Sequence, residues 1–188
     1  RRSSDLYSIT KKPDYLEVIN DTVGWLQREM MNEAFGFYSA QDADSEGIEG
    51  KYYTWSYDEL SEILKDDFLW FSEYYHIKKE GNWEHTNILY TTYESKASLT
   101  ESQRNQLSSI HKRLMDIRIQ RIKPLTDDKQ LLAWNALMNK ALSHAYLHTG
   151  NGAFLDLAEK NMNYLLNHFR SNEHLYFHTS RNAVLKHA

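Results

Sequence analysis

The chain has 188 residues, 41% hydrophobic and 26% charged, enough for one domain with its own core. A net charge of −4 gives no general footprint for nucleic acid or an anionic membrane, and no apolar run approaches about 18 residues. With no cysteine, disulfides, thiolate metal sites and thiol catalysis are excluded within these residues, and without a signal-peptide pattern the composition fits a cytoplasmic protein.

The first residues, Arg1-Arg2-Ser3-Ser4, and the last, Lys186-His187-Ala188, do not read as natural termini, so a fragment is expected. Pro13-Asp14 with Glu17 forms a capping-box pattern, with Asp14 as N-cap. Leu16, Ile19, Val23, Leu26 and Met30 then recur at helical spacing, predicting a helix over roughly 14–33. Gly36–Ser39 and Lys51–Trp55 read as short strands flanking an acidic loop. Ser56 should cap a short helix to about Lys65, and Phe68-Leu69-Trp70-Phe71 should open another ending near His76. Gly81-Asn82 reads as a turn and Asn87–Tyr90 as a strand.

From Thr100 a helical stripe of Leu107, Ile110, Leu114 and Ile117 runs on toward Pro124, with Arg104, Lys112, Arg113, Arg118 and Arg121 on a solvated face. Asp127, with Gln130 three residues on, reads as the N-cap of a helix through about His148. That helix is apolar around most of its circumference, including Trp134 and Leu137, so it should be largely buried. After Gly150-Asn151-Gly152, residues Phe154 to Phe169 should return antiparallel with Leu155, Ala158, Met162, Leu165 and Phe169 inward. His174 to His178 looks like a terminal strand.

Three features carry candidate chemistry. Asp42-Ala43-Asp44-Ser45-Glu46-Gly47 begins like a calcium loop, but its twelfth position is Tyr53 rather than a bidentate Glu. It therefore reads either as a self-capping acidic turn or as a polar-ligand site beside Tyr38 and Trp55. Asp127 and Asp128 read as local capping or as carboxylates facing a ligand, with Trp134 as a stacking face and Asn135 as a donor–acceptor pair. His144 and His148 have the spacing of paired metal ligands but lack a third, so no metal or cofactor is expected.

Gly36-Phe37-Tyr38-Ser39-Ala40-Gln41-Asp42-Ala43-Asp44-Ser45, Glu49-Gly50-Lys51-Tyr52-Tyr53-Thr54-Trp55, and Asp127-Asp128-Lys129 with Trp134-Asn135 occur together and in order. They resemble the thioredoxin-like family that includes the spermatogenesis-associated thioredoxin-related protein and many bacterial members. The resemblance covers roughly residues 14–181. It implies a thioredoxin-like domain followed by an α/α toroid similar to N-acylglucosamine 2-epimerases and six-hairpin glycosidases. A toroid of roughly twelve helices exceeds this length, so a mainly α, partial toroid with short β-hairpin insertions is expected. Where the family usually has Trp-Asn-Gly, this chain has Trp134-Asn135-Ala136, so the close backbone approach that a Gly permits is not expected there.

The expected function is a carbohydrate-active enzyme of epimerase or glycosidase type, with Asp128, Asp42 and Asp44 as candidate catalytic groups sharing a cleft. Tyr38, Trp55, Asp127, Trp134 and Asn135 would bind a small sugar. The alternative is a non-catalytic ligand-binding or docking platform for a thioredoxin-like domain, and self-association of the fragment is expected.

Overall fold

Two stretches of the sequence interleave: residues 1–41 pack with 126–188 as one unit, and 42–125 form a second. The computed structural model describes residues 2–170, 176–181 and 184–186. It is mainly helical, with small antiparallel sheets.

The first unit begins with α1 (Arg2–Thr10), which no periodicity announced, and α2 (Pro13–Glu29). Pro13 stands in the first turn, where its fixed φ suits the helix and its missing N–H costs nothing. Lys12 is therefore the extended N-cap residue, and Asp14 lies within the first turn instead of capping it. α2 ends four residues short of the expected boundary because the chain doubles back, with Tyr38 N donating to Met30 O at 2.9 Å and Asn32 N to Gly36 O at 2.9 Å. The strand expected at Gly36–Ser39 is a loop with one bridge, Met31 to Phe37.

α7 (Leu132–Thr149) and α8 (Gly152–His168) form the expected helical hairpin. Gly150 takes the left-handed conformation that ends α7, at φ 71°, and the Asn151 side chain caps α8 by accepting from Ala153 N at 3.0 Å. The buried line of α7 differs from expectation. It is Asn135, Asn139, Leu142 and Ala145, whereas Trp134 and Leu137 are 54% and 66% exposed. On α8 the buried residues are Phe154, Leu157, Ala158, Asn161 and Leu165, with Met162 exposed. Leu142, Ala145, Phe154, Leu157 and Ala158 pack with Ile19, Val23 and Phe37 as this unit's core.

β1 (Ala40–Gln41) pairs antiparallel with β4 (Thr126–Asp127). β5 (Gln130–Leu131), β6 (Thr179–Arg181) and β7 (Val184–Lys186) form a second antiparallel sheet with Gln130 opposite Ser180. Asp127 is thus a strand residue, and α7 begins only at Leu132 with no side-chain cap. Of the strand expected over His174–His178, residues 174 and 175 lie outside the described residues, and Tyr176 makes a single bridge to Arg170.

In the second unit the acidic loop is a hairpin, β2 (Asp44–Ser45) against β3 (Ile48–Glu49). Glu46 and Gly47 both have positive φ, 55° and 75°, as a two-residue primed turn requires. Lys51–Tyr53 is turn rather than strand, and Trp55 and Asn87 make one isolated bridge in place of the two strands expected. α3 (Tyr57–Leu64) is capped by Ser56, which accepts from Glu59 N. A 3-10 turn, Lys65–Asp67, leads into α4 (Phe68–Tyr74), and α5 (Tyr93–Ala97) precedes α6 (Glu101–Arg118). Thr100 and Gln103 form the capping box of α6, which ends well before Pro124.

The basic run on and after α6 is not simply solvated. Arg121 donates to the carbonyls of Lys51, Tyr52 and Thr54 at 3.3, 3.1 and 2.8 Å and to Glu59 at 2.7 Å. Its guanidinium lies 3.9 Å from the centre of the Trp55 ring. One side chain therefore holds the whole 51–55 turn, and Trp55 is 2% exposed within a core of Leu60, Leu64, Phe71 and Ile110.

Candidate functional site

Four segments of the first unit converge on a polar cleft of about 320 Å³. The loop after α2 supplies Asn32, Ala34 and Tyr38, the turn between β4 and β5 supplies Asp128, and β5 supplies Gln130. Tyr164 and His168 enter from α8 and Ser180 from β6.

A buried asparagine network sets the position of that loop. Asn135 Oδ1 accepts from Phe37 N at 2.7 Å, and Asn135 Nδ2 donates to Phe37 O at 2.9 Å. Asn161 Nδ2 donates to Phe35 O at 2.8 Å, and Asn139 Nδ2 donates to Asn161 Oδ1 at 3.2 Å. Amide side chains can donate and accept at once, so they satisfy a buried loop's backbone as a strand would. Phe35 is held at φ 69°, a conformation costly for a bulky residue. Beside it Gly36 leaves room for the cleft wall: a Cβ there would lie 2.4 Å from Tyr164 Cε1 and 2.6 Å from Gln130 Oε1.

Tyr164 and His168 are four apart on α8 and stack, with ring centroids 4.9 Å apart and planes 15° from parallel. The Tyr164 hydroxyl donates to Gln130 Oε1 at 2.5 Å, and His168 Nε2 shares a 2.7 Å hydrogen bond with Ser180 Oγ. Burial pushes the Tyr164 phenol up, against the pull of hydrogen bonds from Asn32 and Gln130. Burial also pushes His168 down, which favours the neutral imidazole at neutral pH. Arg181 bridges the two neighbouring aspartates, pairing with Asp127 and reaching Asp128 Oδ1 with its Nε at 3.3 Å. Asp127 is held down at about 2, chiefly by Arg181 and next by the Lys129 backbone N–H.

Of the residues singled out in the sequence, Tyr38 and Asp128 line this cleft. Asp127 is occupied by Arg181 and Lys129, and Asn135, 1% exposed, holds backbone in the interior. Trp134 is exposed on α7, as is Ala136 beside it. Asp42 and Asp44 are exposed residues of the second unit, and Trp55 lies in that unit's core. Gln130, Tyr164, His168 and Ser180 were not anticipated. The one local signal was the Tyr–His spacing of four on α8.

No family model matches the chain. It is 25% identical to spermatogenesis-associated protein 20 of Homo sapiens over 197 residues, covering 88% of this chain and 25% of that protein. To the Mus musculus protein of the same name it is 27% identical, over 70% of this chain and 21% of that one. An uncharacterized protein of Caenorhabditis elegans is 25% identical over 84% of this chain and 26% of its own length. The chain thus spans about a quarter of the length of the curated relatives it matches. The similarity is one of distant homology, and it supports the family to which the sequence motifs point.

Proposed function

We propose that the cleft binds a small polyhydroxylated ligand of sugar size and that His168 is its proton-transfer group. The observation that carries this reading is the convergence of a neutral-favouring His168, the Asp128 carboxylate and the Tyr164 ring on one polar cleft. A sugar presents hydroxyls to Asp128, Gln130, Ser180 and Asn32, and its apolar face suits an aromatic wall. Glycosidase chemistry needs two carboxylates, and among the lining residues Asp128 is the one available. Epimerase chemistry instead takes a proton from a carbon next to a carbonyl and returns one to the opposite face, and the neutral imidazole that burial favours at His168 suits the base in the first of these steps. The epimerase form is therefore favoured, on a partial α/α toroid to which the α7–α8 hairpin would contribute one helix pair.

Calorimetric titration with N-acetylglucosamine and N-acetylmannosamine tests the reading. Binding should weaken at least tenfold in Asp128→Asn and in His168→Gln, and equal binding by the wild type and both variants would contradict it.

A docking platform is the second reading, favoured by the apolar surface that α7 leaves exposed at Trp134, Leu137 and Leu147. It predicts self-association in sedimentation experiments that Trp134→Ser with Leu137→Ser abolishes. A monomeric wild type at all concentrations would count against it.

A further inference from the structure

The sequence offers His144 and His148 one turn apart on α7, and the fold supplies the third ligand that this pair lacked. Asp5 of α1 reaches the same point, so that one ligand atom from each of the three residues lies within 4.8 Å of the other two. His144 Nδ1 is 3.9 Å from Asp5 Oδ1. The two imidazoles have centroids 5.8 Å apart and planes inclined at 62°. An ion pair between Asp5 and a protonated His144 would account for two of the residues, but it leaves His148 without a part and 3.9 Å is long for a hydrogen bond. His144 Nδ1 is moreover a buried atom with no hydrogen-bond partner among the described residues, a costly arrangement unless something else takes its lone pair.

We propose that Asp5, His144 and His148 form a binding site for a divalent transition metal of the zinc class, which ties α1 to α7. Zinc bonds of about 2.0–2.2 Å to nitrogen and oxygen put tetrahedral ligands about 3.3 Å apart, so donors within 4.8 Å of one another need to close by no more than about 1.5 Å. The donor set selects the ion. Calcium and magnesium take oxygen ligands, soft cuprous copper takes sulfur, and two imidazoles with one carboxylate suit zinc and its neighbours. His144 and Asp5 side chains keep 30% and 45% of their exposure, which leaves solvent access to a fourth position. With two ligands from α7 and one from α1, the ion would stabilise the fold by mass action, growing with the logarithm of its concentration over its dissociation constant.

The test is titration of the metal-free chain with Zn(II), and with Co(II) as a spectroscopic substitute. The expected result is one ion per chain, a raised melting temperature, and the strong visible absorption of four-coordinate Co(II). Asp5→Asn and His148→Gln should each lower the affinity at least tenfold, while His85→Gln, an exposed histidine of the second unit, should leave it unchanged. Both site positions are partly exposed, and circular dichroism checks that the variants remain folded. The proposal is overturned if the wild type takes up no ion at micromolar Zn(II), if neither site variant weakens binding, or if His85→Gln weakens it as much.

Discussion

Tyr164 covers one face of the His168 imidazole, their planes 15° from parallel, while Ser180 engages the ring's Nε2 at 2.7 Å. The stack helps to desolvate the imidazole, and desolvation is what lowers its proton affinity. A histidine with a depressed folded pKa binds fewer protons than in the unfolded chain as pH falls below about 6.5. Its contribution to stability is therefore complete above about 6.5 and lost as pH falls from there through the folded value. Unfolding of wild type and His168→Gln at pH 7.5 and 5.5 checks this. The wild type should lose more stability between the two than the variant does, and equal losses would remove the imidazole from the account.

Gly36 is required by close approach. Gly36→Ala places a methyl group against the Tyr164 ring and the Gln130 amide, the two groups that share the 2.5 Å hydrogen bond. Destabilisation of about 1–3 kcal/mol is expected in chemical denaturation, together with a shifted Tyr164 resonance. An unperturbed Tyr164 would show that the wall is not packed as described.

Asn161 should be more critical than its polarity suggests. Asn161→Ala leaves Phe35 O without its buried donor and breaks the link to Asn135 and Asn139, so a loss of about 1–3 kcal/mol is expected. Asn161→Asp removes the donating nitrogen as well and should cost at least as much. A midpoint unchanged in both variants would contradict the network.

Leu142, fully buried between the helices, and Leu137, 66% exposed, separate the two faces of α7. Leu142→Ala should cost about 2–5 kcal/mol, whereas Leu137→Ala should stay within about 0.5 kcal/mol. The reverse order would restore the buried orientation that the apolar sequence of this helix suggested.

What was legible in the sequence was local. Ser56 and Gly150 act through neighbours within four residues, so the cap and the turn stand where the sequence put them. Asp127 shows where that reasoning stops. Its spacing to Gln130 is that of a capping box, but Ala40 and Ser180, distant in sequence, draw Asp127 and Gln130 into strands. Tertiary pairing overrides the local signal. The orientation of α7 differs because two asparagines take its inner face, where Asn135 meets the backbone of a loop and Asn139 the Ala158 carbonyl of α8. The cleft depends on the Gln130–Ser180 register and on α8 lying against the 32–38 loop. No pattern within one segment encodes either. Asp5 meets His144 and His148 through the packing of α1 on α7, a contact that sequence spacing cannot express.

Whether the cleft holds a sugar is read from the histidine ring signals by NMR while N-acetylglucosamine or N-acetylmannosamine is titrated into the chain. Saturable shifts are expected at His168, with those of His85, in the other unit, unmoved, and loss of the His168 response in Asp128→Asn. A His168 signal that stays fixed at saturating concentrations of both sugars would contradict the assignment of this cleft as a sugar site.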